Sequence, residues 1–255
     1  MKIADILNSP SMPVASPTYP RGPYHYFNRE YLIITYESDA EAIRRLLPQP
    51  LQPDGSNQVF YEFARMADSS GFGVYTQTGI VIPATLDGVA MNHVSQMYLD
   101  CEPPISGGRE IWGFPQKLGK ASLKITHDTL TGRLEYAGEL VAVATMTYKH
   151  QNLLDGKNGA AELAELTARL GATRVNLKWI PHVDGNAAIA QLVAYNMSDI
   201  TVKGAWAGPA RLQLNAHVNA PVADLPVRRV IGGLHVVADA TLPYGRVVHD
   251  YLKAK

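Results

Sequence analysis

Residues 107–124 read GGREIWGFPQKLGKASLK, and the interpretation of the whole chain depends on this stretch. It places glycines, a Trp and a Phe before Pro115, which is followed by the polar pair Gln116 and Lys117. A lysine among aromatic and apolar groups loses hydration, which disfavours its charged form, and a neutral amine is a nucleophile. Two interpretations of Lys117 follow from this stretch alone: a reactive amine, or an ordinary solvated lysine at the start of a strand.

The composition restricts the class of protein. The 255 residues are 46% hydrophobic, which suits one large domain or two small ones, and the lack of a linker favours a single domain over residues 1–255. Lys plus Arg and Asp plus Glu both number 23, so the zero net charge argues against a nucleic-acid or anionic-membrane partner. The single Cys101 excludes an internal disulfide. With no signal peptide and no long apolar run, we expect a cytoplasmic protein.

Short β-branched and aromatic runs, typical of strands, are spread along the chain. Residues 121–150 predict a β-meander with turns at Thr131–Gly132 and Ala137–Gly138, whereas residues 187–196 are ambiguous between helix and strand. Further runs suggest strands at 31–36, 59–66, 74–84, 93–99, 175–181, 200–214 and 234–252.

Only two helices are clear from the sequence. One covers residues 159–170 and is stopped by Gly171, and the other follows a capping box formed by Ser38 and Glu41. Strands dominate, so the predicted fold class is α+β with mainly antiparallel strands, curved or closed into a β-barrel with a few flanking helices. The five prolines of residues 9–23 predict an extended arm that packs on a neighbouring strand or subunit of a homo-oligomer.

Sequence motifs for common cofactors are absent. The chain has no GxGxxG, no GxxxxGK[ST] and no GxSxG, and its eight histidines are scattered without metal-ligand spacing. We therefore predict neither a cofactor nor a metal, and expect acid–base or amine chemistry.

The chain resembles the acetoacetate decarboxylase family in order along residues 9–252, except for the less similar segment 153–172. The matching segments include SPTYPRGPYHYFNREYLIITY, YEFARMADSSGFGVYT, MYLDCEPPISGGREIWGFP and ITVKGAWAGPARLQL. The resemblance implies a β-barrel-like fold in a large homo-oligomer and cofactor-independent decarboxylation of a small β-keto acid. In that reaction a lysine amine condenses with the ketone, the protonated imine accepts electrons as CO2 leaves, and the enamine is then protonated and hydrolysed.

Two positions depart from the family pattern. The resemblance implies a site of one Arg, two Glu and a Lys-Lys pair, of which Arg29, Glu62 and Lys117 are present. The first Lys of the pair, which normally forms the imine, is Gln116, and the second Glu is Gln77. A positive and a negative group have thus both become neutral amides, which still form hydrogen bonds. Other predicted substrate contacts are Phe27, Tyr98 and Trp112.

Three hypotheses about function remain open from the sequence. Lys117 replaces the missing nucleophile, with Arg29 and Glu62 across the same cavity. Alternatively, the pocket performs another reaction of keto acids, such as aldol or dehydration chemistry. The third hypothesis is a small-molecule-binding protein without covalent catalysis. For Arg29, a structural ion pair with Glu30 or Glu62 is the alternative to a substrate contact.

Overall fold

The computed structural model describes residues 1–253, which are built mainly from strands. The strands are β1 (Tyr24–Glu37), β2 (Gln52–Pro53), β3 (Gln58–Met66), β4 (Asp68–Ser69), β5 (Tyr75–Leu86), β6 (Val89–Leu99), β7 (Gln116–Leu118), β8 (Lys120–Thr126), β9 (Thr129–Tyr136), β10 (Glu139–Thr147), β11 (Gln151–Asn152), β12 (Arg174–Pro181), β13 (Ala187–Tyr195), β14 (Ser198–Gly208), β15 (Ala210–Leu214), β16 (Arg229–Leu242) and β17 (Arg246–Asp250). The helices are α1 (Ile3–Leu7), α2 (Ala40–Leu46), α3 (Glu102–Gly107) and α4 (Gly159–Gly171), with a π-helix at Gly108–Trp112 and a 3-10 turn at Val222–Asp224. Within these described residues, no helix is long and apolar enough to cross a membrane.

The strands form two sheets. The main sheet has 13 strands, with the order β11-β14-β16-β1-β3-β5-β6-β12-β13-β17 and with β2, β4 and β7 paired to the side of this path. The second sheet has four strands in the order β15-β10-β9-β8. All strand pairs are antiparallel except those of β6 with β7 and with β12, so the main sheet is mixed.

The prediction that the sheet closes into a barrel is wrong. Closure requires the first and last strands of a sheet to pair with each other. Among the described residues, β11 pairs only with β14 and β17 only with β13, so the main sheet stays open. These terminal strands are only two and five residues long. The prediction of a mainly β protein with few helices is confirmed.

Strand β1 separates the two halves of the core. Leu32 and Ile34 point toward the small sheet, whereas Tyr31 and Ile33 point toward the face covered by Trp112 and α4. The pairing register of β1 with β16 shifts between Tyr26 and Arg29, as at a β-bulge. Tyr26, Arg29 and Tyr31 therefore line the same side of the sheet.

The small sheet is the predicted meander with one turn misplaced. The turn at Ala137–Gly138 is confirmed, but the first turn lies at His127–Asp128, and Thr131–Gly132 is inside β9. Gly132 is needed there for space, because a Cβ atom would lie 2.5 Å from the Phe63 ring. A glycine that looks like a turn in sequence thus marks the contact between the two sheets.

Helix α4 is confirmed close to its predicted bounds, and the ambiguous residues 187–196 form strand β13. The capping box is wrong, because Asp39 occupies the N-cap of α2. The Asp39 carboxylate makes two hydrogen bonds to Arg228, at 2.8 and 2.7 Å, rather than capping the helix. The buried hydroxyl of Ser38 has no hydrogen-bond partner among the described residues.

The proline-rich arm packs on its own chain. The buried Tyr19 ring rests against Gly107, and its hydroxyl donates a hydrogen bond to Glu110. Pro20 covers Gly71, and the Tyr24 hydroxyl donates to the Pro20 carbonyl at 2.6 Å. The arm therefore holds the segment that contains α3 and the π-helix against the main sheet.

We predict that Gly132→Ala lowers the free energy of unfolding by about 1–3 kcal/mol, because the new methyl group overpacks the contact with Phe63. Gly232→Ala is the matched control, since a Cβ at this other strand glycine meets nothing within 4 Å. Urea denaturation of both variants measures the difference. Equal stability of the two variants would contradict the packing role of Gly132.

Candidate functional site

A small aromatic cavity of about 40 Å³ lies on the Arg29 side of the main sheet. Five tyrosines line it together with Phe72, Trp112 and Phe114. Its polar groups are Arg29, Arg174, Gln77 and Gln116, and its other walls include Met97, Leu170, Met197 and Leu242. A concave, mainly apolar site with a few converging polar groups is typical of small-molecule binding.

The segment that begins at residue 107 shapes one wall of this cavity. Helix α3 continues into the π-helix, which ends at Gly113 in the left-handed conformation, with φ +71°. A side chain at Gly113 would also collide with Lys178, whose Cα would lie 2.4 Å from the new Cβ. The chain then enters β7, which pairs in parallel with β6. Since successive residues of a strand point to opposite faces, Gln116 and Lys117 point to opposite sides.

Lys117 lies outside the Arg29 cavity, so the predicted placement of its amine is wrong. Its Nζ donates a hydrogen bond to the Asn219 carbonyl at 2.5 Å and sits 5.0 Å from the centre of the Tyr136 ring. It lines a different cleft, together with His93 and Tyr98. The parity of a short regular strand decides this, because Pro115 and Gly119 do not disturb the alternation within β7.

Two of the three predicted aromatic contacts also lie elsewhere. The Tyr98 hydroxyl donates to Gln96 at 2.9 Å in the Lys117 cleft. Phe27 lies within the bulge in β1, is 46% exposed and does not line the cavity. Trp112 is the exception, because it lines the cavity and is stacked against Phe114 with ring centres 5.8 Å apart.

The carboxamide of Gln116 is fixed by the last turn of α3. We assign the orientation of this carboxamide from its neighbours: with the nitrogen turned toward α3, it donates to the carbonyls of Pro104 at 2.9 Å and Ile105 at 3.2 Å. The opposite orientation would place the amide oxygen against these two oxygens and leave the nitrogen with only the Met97 sulfur, 3.3 Å away. Gly108 makes room for this group, because a Cβ there would come within 2.1 Å of the carboxamide.

Arg29 is a buried cation without a carboxylate partner among residues 1–253. Its guanidinium lies 4.6 Å from the centre of the Tyr31 ring and 5.2 Å from that of Tyr26, and its Nε has no hydrogen-bond partner. Glu30 is bound to His235 instead, with 2.9 Å between their atoms. Burial acts to lower the pKa of Arg29, but the neighbouring Tyr31 and Tyr26 keep it above its ordinary value. The side chain therefore stays charged at neutral pH.

Glu62 is paired with Arg174, a cavity residue that the sequence analysis did not identify. Arg174, at the start of β12, lines the cavity and binds both oxygens of Glu62, at 2.8 and 2.7 Å. Burial acts to raise the pKa of Glu62, but the Arg174 guanidinium lowers it below its ordinary value. The alternating pattern of β3 predicted that Glu62 is a buried carboxylate that needs a partner, but it did not indicate which cation that partner is.

The charges at the cavity do not balance. Arg29 and Arg174 are two cations, and Glu62 is the one carboxylate paired with them, which leaves one net positive charge. An unbalanced buried charge is costly, and a bound anion would remove that cost. The geometry therefore suits a ligand with a single negative charge.

The tyrosines add neutral hydrogen-bond donors. Burial raises the pKa of Tyr26, Tyr31, Tyr75 and Tyr195, so their phenols stay protonated at neutral pH. The Tyr75 hydroxyl donates a hydrogen bond to the Tyr26 hydroxyl at 3.4 Å. These phenols can donate to an oxygen of a ligand held at Arg29.

No lysine of residues 1–253 lines this cavity. Desolvation lowers the pKa of Lys178, but its amine is bound to the Ile111 carbonyl at 3.1 Å and is not part of the lining. In the same described part of the chain, no group of three His, Cys, Asp or Glu side chains is placed to hold a metal ion.

We predict that Glu62→Gln lowers the free energy of unfolding by about 3 kcal/mol at pH 7, because it leaves the buried Arg174 without its counterion. The pKa of Glu62 is lowered in the fold, so its contribution is present above the ordinary carboxyl pKa and is lost as pH falls through the lowered value. The stability difference between the two proteins should therefore shrink on acidification.

Chemical denaturation at several pH values measures this effect. Glu41→Gln is the control, because Glu41 pairs with Arg44 at an exposed site, where an ion pair contributes less than about 1 kcal/mol. A loss in Glu62→Gln no larger than in the control would show that the buried pair is not needed for stability.

Comparisons with known proteins agree with the fold and with the family resemblance. The family model described as acetoacetate decarboxylase matches residues 11–252. The chain is 49% identical over 253 residues to an acetoacetate decarboxylase of Burkholderia ambifaria, covering 99% of both chains. It is 50% identical over 242 residues to acetoacetate decarboxylase 2 of Mesorhizobium japonicum, covering 95% of this chain and 89% of the relative.

Solved structures are similar as well. One acetoacetate decarboxylase structure superposes with a TM-score of 0.93 at 42% identity, covering 99% of this chain and 100% of its own. The acetoacetate decarboxylase of Legionella pneumophila gives a TM-score of 0.88 at 43% identity, covering 97% and 96% of the two chains. The family model and these relatives extend over nearly the whole chain, and this chain therefore belongs to the acetoacetate decarboxylase family.

Proposed function

We propose that this chain decarboxylates a small β-keto acid, with acetoacetate as the first candidate substrate. The observation that carries the proposal is Arg29, a fully desolvated guanidinium that faces an aromatic cavity and has no carboxylate partner in the described chain. A guanidinium fork suits a carboxylate. Relatives 49% and 50% identical are named acetoacetate decarboxylases, which supports the same substrate class.

The absence of a lysine from the lining, among residues 1–253, suggests a route without an imine. In this route, the bond between the α-carbon and the carboxylate breaks, CO2 leaves, and the electron pair forms an enolate with the ketone oxygen. Protonated phenols of Tyr26, Tyr31, Tyr75 or Tyr195 donate hydrogen bonds to that oxygen. A proton from the solvent then adds to the α-carbon, so that one proton is taken up for each CO2 released. Without covalent catalysis, we expect slower turnover than in a relative that has the lysine.

A second candidate function is binding of a keto acid without turnover. It is favoured by the neutral amides Gln77 and Gln116 at positions where the family resemblance implies a carboxylate and an amine. Both candidates use the Arg29 cavity, so they differ in the release of acetone and CO2 rather than in affinity.

The other sequence-based expectations stay proposals. A single domain over residues 1–255, a homo-oligomer and a cytoplasmic location are consistent with the family membership. The homo-oligomer is supported by large apolar side chains on the surface, which an interface between copies would cover. They include Leu7, Trp179 and Val183, whose exposed fractions are 77%, 51% and 98%.

We predict that the protein releases acetone and CO2 from acetoacetate and that Arg29→Lys weakens acetoacetate binding at least about tenfold, because an ammonium cannot form the two-pronged contact. Binding of the neutral ketone 2,4-pentanedione should change little. Calorimetric titration and headspace analysis of acetone measure these effects. The exposed Arg65, replaced by Lys, serves as the control.

Equal losses for the acid and the neutral ketone would assign Arg29 a structural role. Acetoacetate binding without any acetone or CO2 would favour the second candidate function.

We predict that borohydride with acetoacetate traps no adduct on the natural sequence, and that Gln116→Lys creates an adduct at residue 116. The new amine would be buried in the cavity that Arg29 also lines, and burial and a nearby cation both favour its neutral form. Mass spectrometry of proteolytic peptides locates the adduct. Lys117→Ala should change neither result, because its amine lies in the other cleft. An adduct at Lys117 or Lys178 in the natural sequence would overturn the imine-free route.

A further inference from the structure

The orientation of the Gln116 carboxamide limits what it can offer a ligand. Both hydrogens of its nitrogen are used inside the chain, on the carbonyls of Pro104 at 2.9 Å and Ile105 at 3.2 Å. Its oxygen receives no hydrogen bond from the described residues and has the Met97 sulfur as its neighbour. Because Gln116 lines the cavity, the only free hydrogen-bonding function that it presents there is an acceptor.

This acceptor is poorly matched to a ketone. A ketone oxygen has lone pairs and no hydrogen, so it can pair with the phenols of the cavity but not with the Gln116 oxygen. Rotating the amide to donate to a ketone would turn its oxygen toward the two α3 carbonyls and lose both of these hydrogen bonds. A hydroxyl group, in contrast, can donate to Gln116 and accept from a tyrosine at the same time.

We infer that the Arg29 cavity selects a small monoanion with a hydroxyl donor near the carboxylate, and that 3-hydroxy acids therefore bind more tightly than matched acids without the donor. The inference rests on the proposed function, because it places the ligand carboxylate on Arg29.

The test is a calorimetric titration of the natural protein with butyrate, 3-hydroxybutyrate and 3-methoxybutyrate. These ligands share one carboxylate and one carbon chain, and only the hydroxy acid has a donor at carbon 3. We expect 3-hydroxybutyrate to bind about fivefold more tightly than butyrate, the effect of one ordinary hydrogen bond. The methoxy acid should bind less tightly than the hydroxy acid, because its oxygen can accept from a phenol but cannot donate to Gln116. No variant is needed for this comparison, so it does not depend on a mutant fold.

Gln116→Met then tests the assignment to this residue, because it keeps the side-chain length and replaces the amide oxygen by a thioether that accepts hydrogen bonds only weakly. We expect the preference for the hydroxy acid to disappear while butyrate still binds. A preference that survives in Gln116→Met would overturn the role of Gln116. Equal binding of all three acids to the natural protein would overturn the inference, even if acetoacetate is still decarboxylated. If no anion binds at all, Arg29 is not an anion-binding site, and the proposed function is contradicted as well.

Discussion

The site depends on an imbalance of buried charge. Arg174 is neutralised by two hydrogen bonds to Glu62, whereas Arg29 is surrounded by tyrosine rings and has no carboxylate partner in the described chain. A desolvated and unpaired guanidinium is costly, and the fold keeps it because β1, β3 and β12 fix the surrounding side chains. The same cost is removed when an anion binds, so the feature that weakens the empty fold also favours a carboxylate ligand.

The two amides change the chemistry of this cavity while keeping its shape. Gln77 and Gln116 line it where the family resemblance implies a carboxylate and an amine. Loss of both groups keeps the local charge unchanged if the amine was protonated, and makes the cavity more positive if it was neutral. The anion site can therefore remain in a member of the family without an amine in the cavity lining.

The wall that carries Gln116 is held by close backbone contacts. Gly107 lies against the Tyr19 ring of the arm, Gly108 against the Gln116 carboxamide, and Gly113 against the backbone of Lys178. A side chain at any of these glycines would push the π-helix away from its neighbours. The arm, the π-helix and β7 thus form one packed unit, and the position of the Gln116 amide follows from it.

The sequence by itself determined the family, most of the strands and helix α4, and it named four residues that line the cavity, Arg29, Gln77, Gln116 and Trp112. These depend on local pattern and on motifs. Only the tertiary structure decided that the sheet stays open and that Gly132 is a packing position. It also decided that Arg174 is the partner of Glu62 and that Lys117 points into another cleft. Long-range pairing and the direction of a side chain depend on contacts between segments far apart in the chain. A strand of three residues such as β7 is too short for its sequence pattern to show which side chains point toward the cavity.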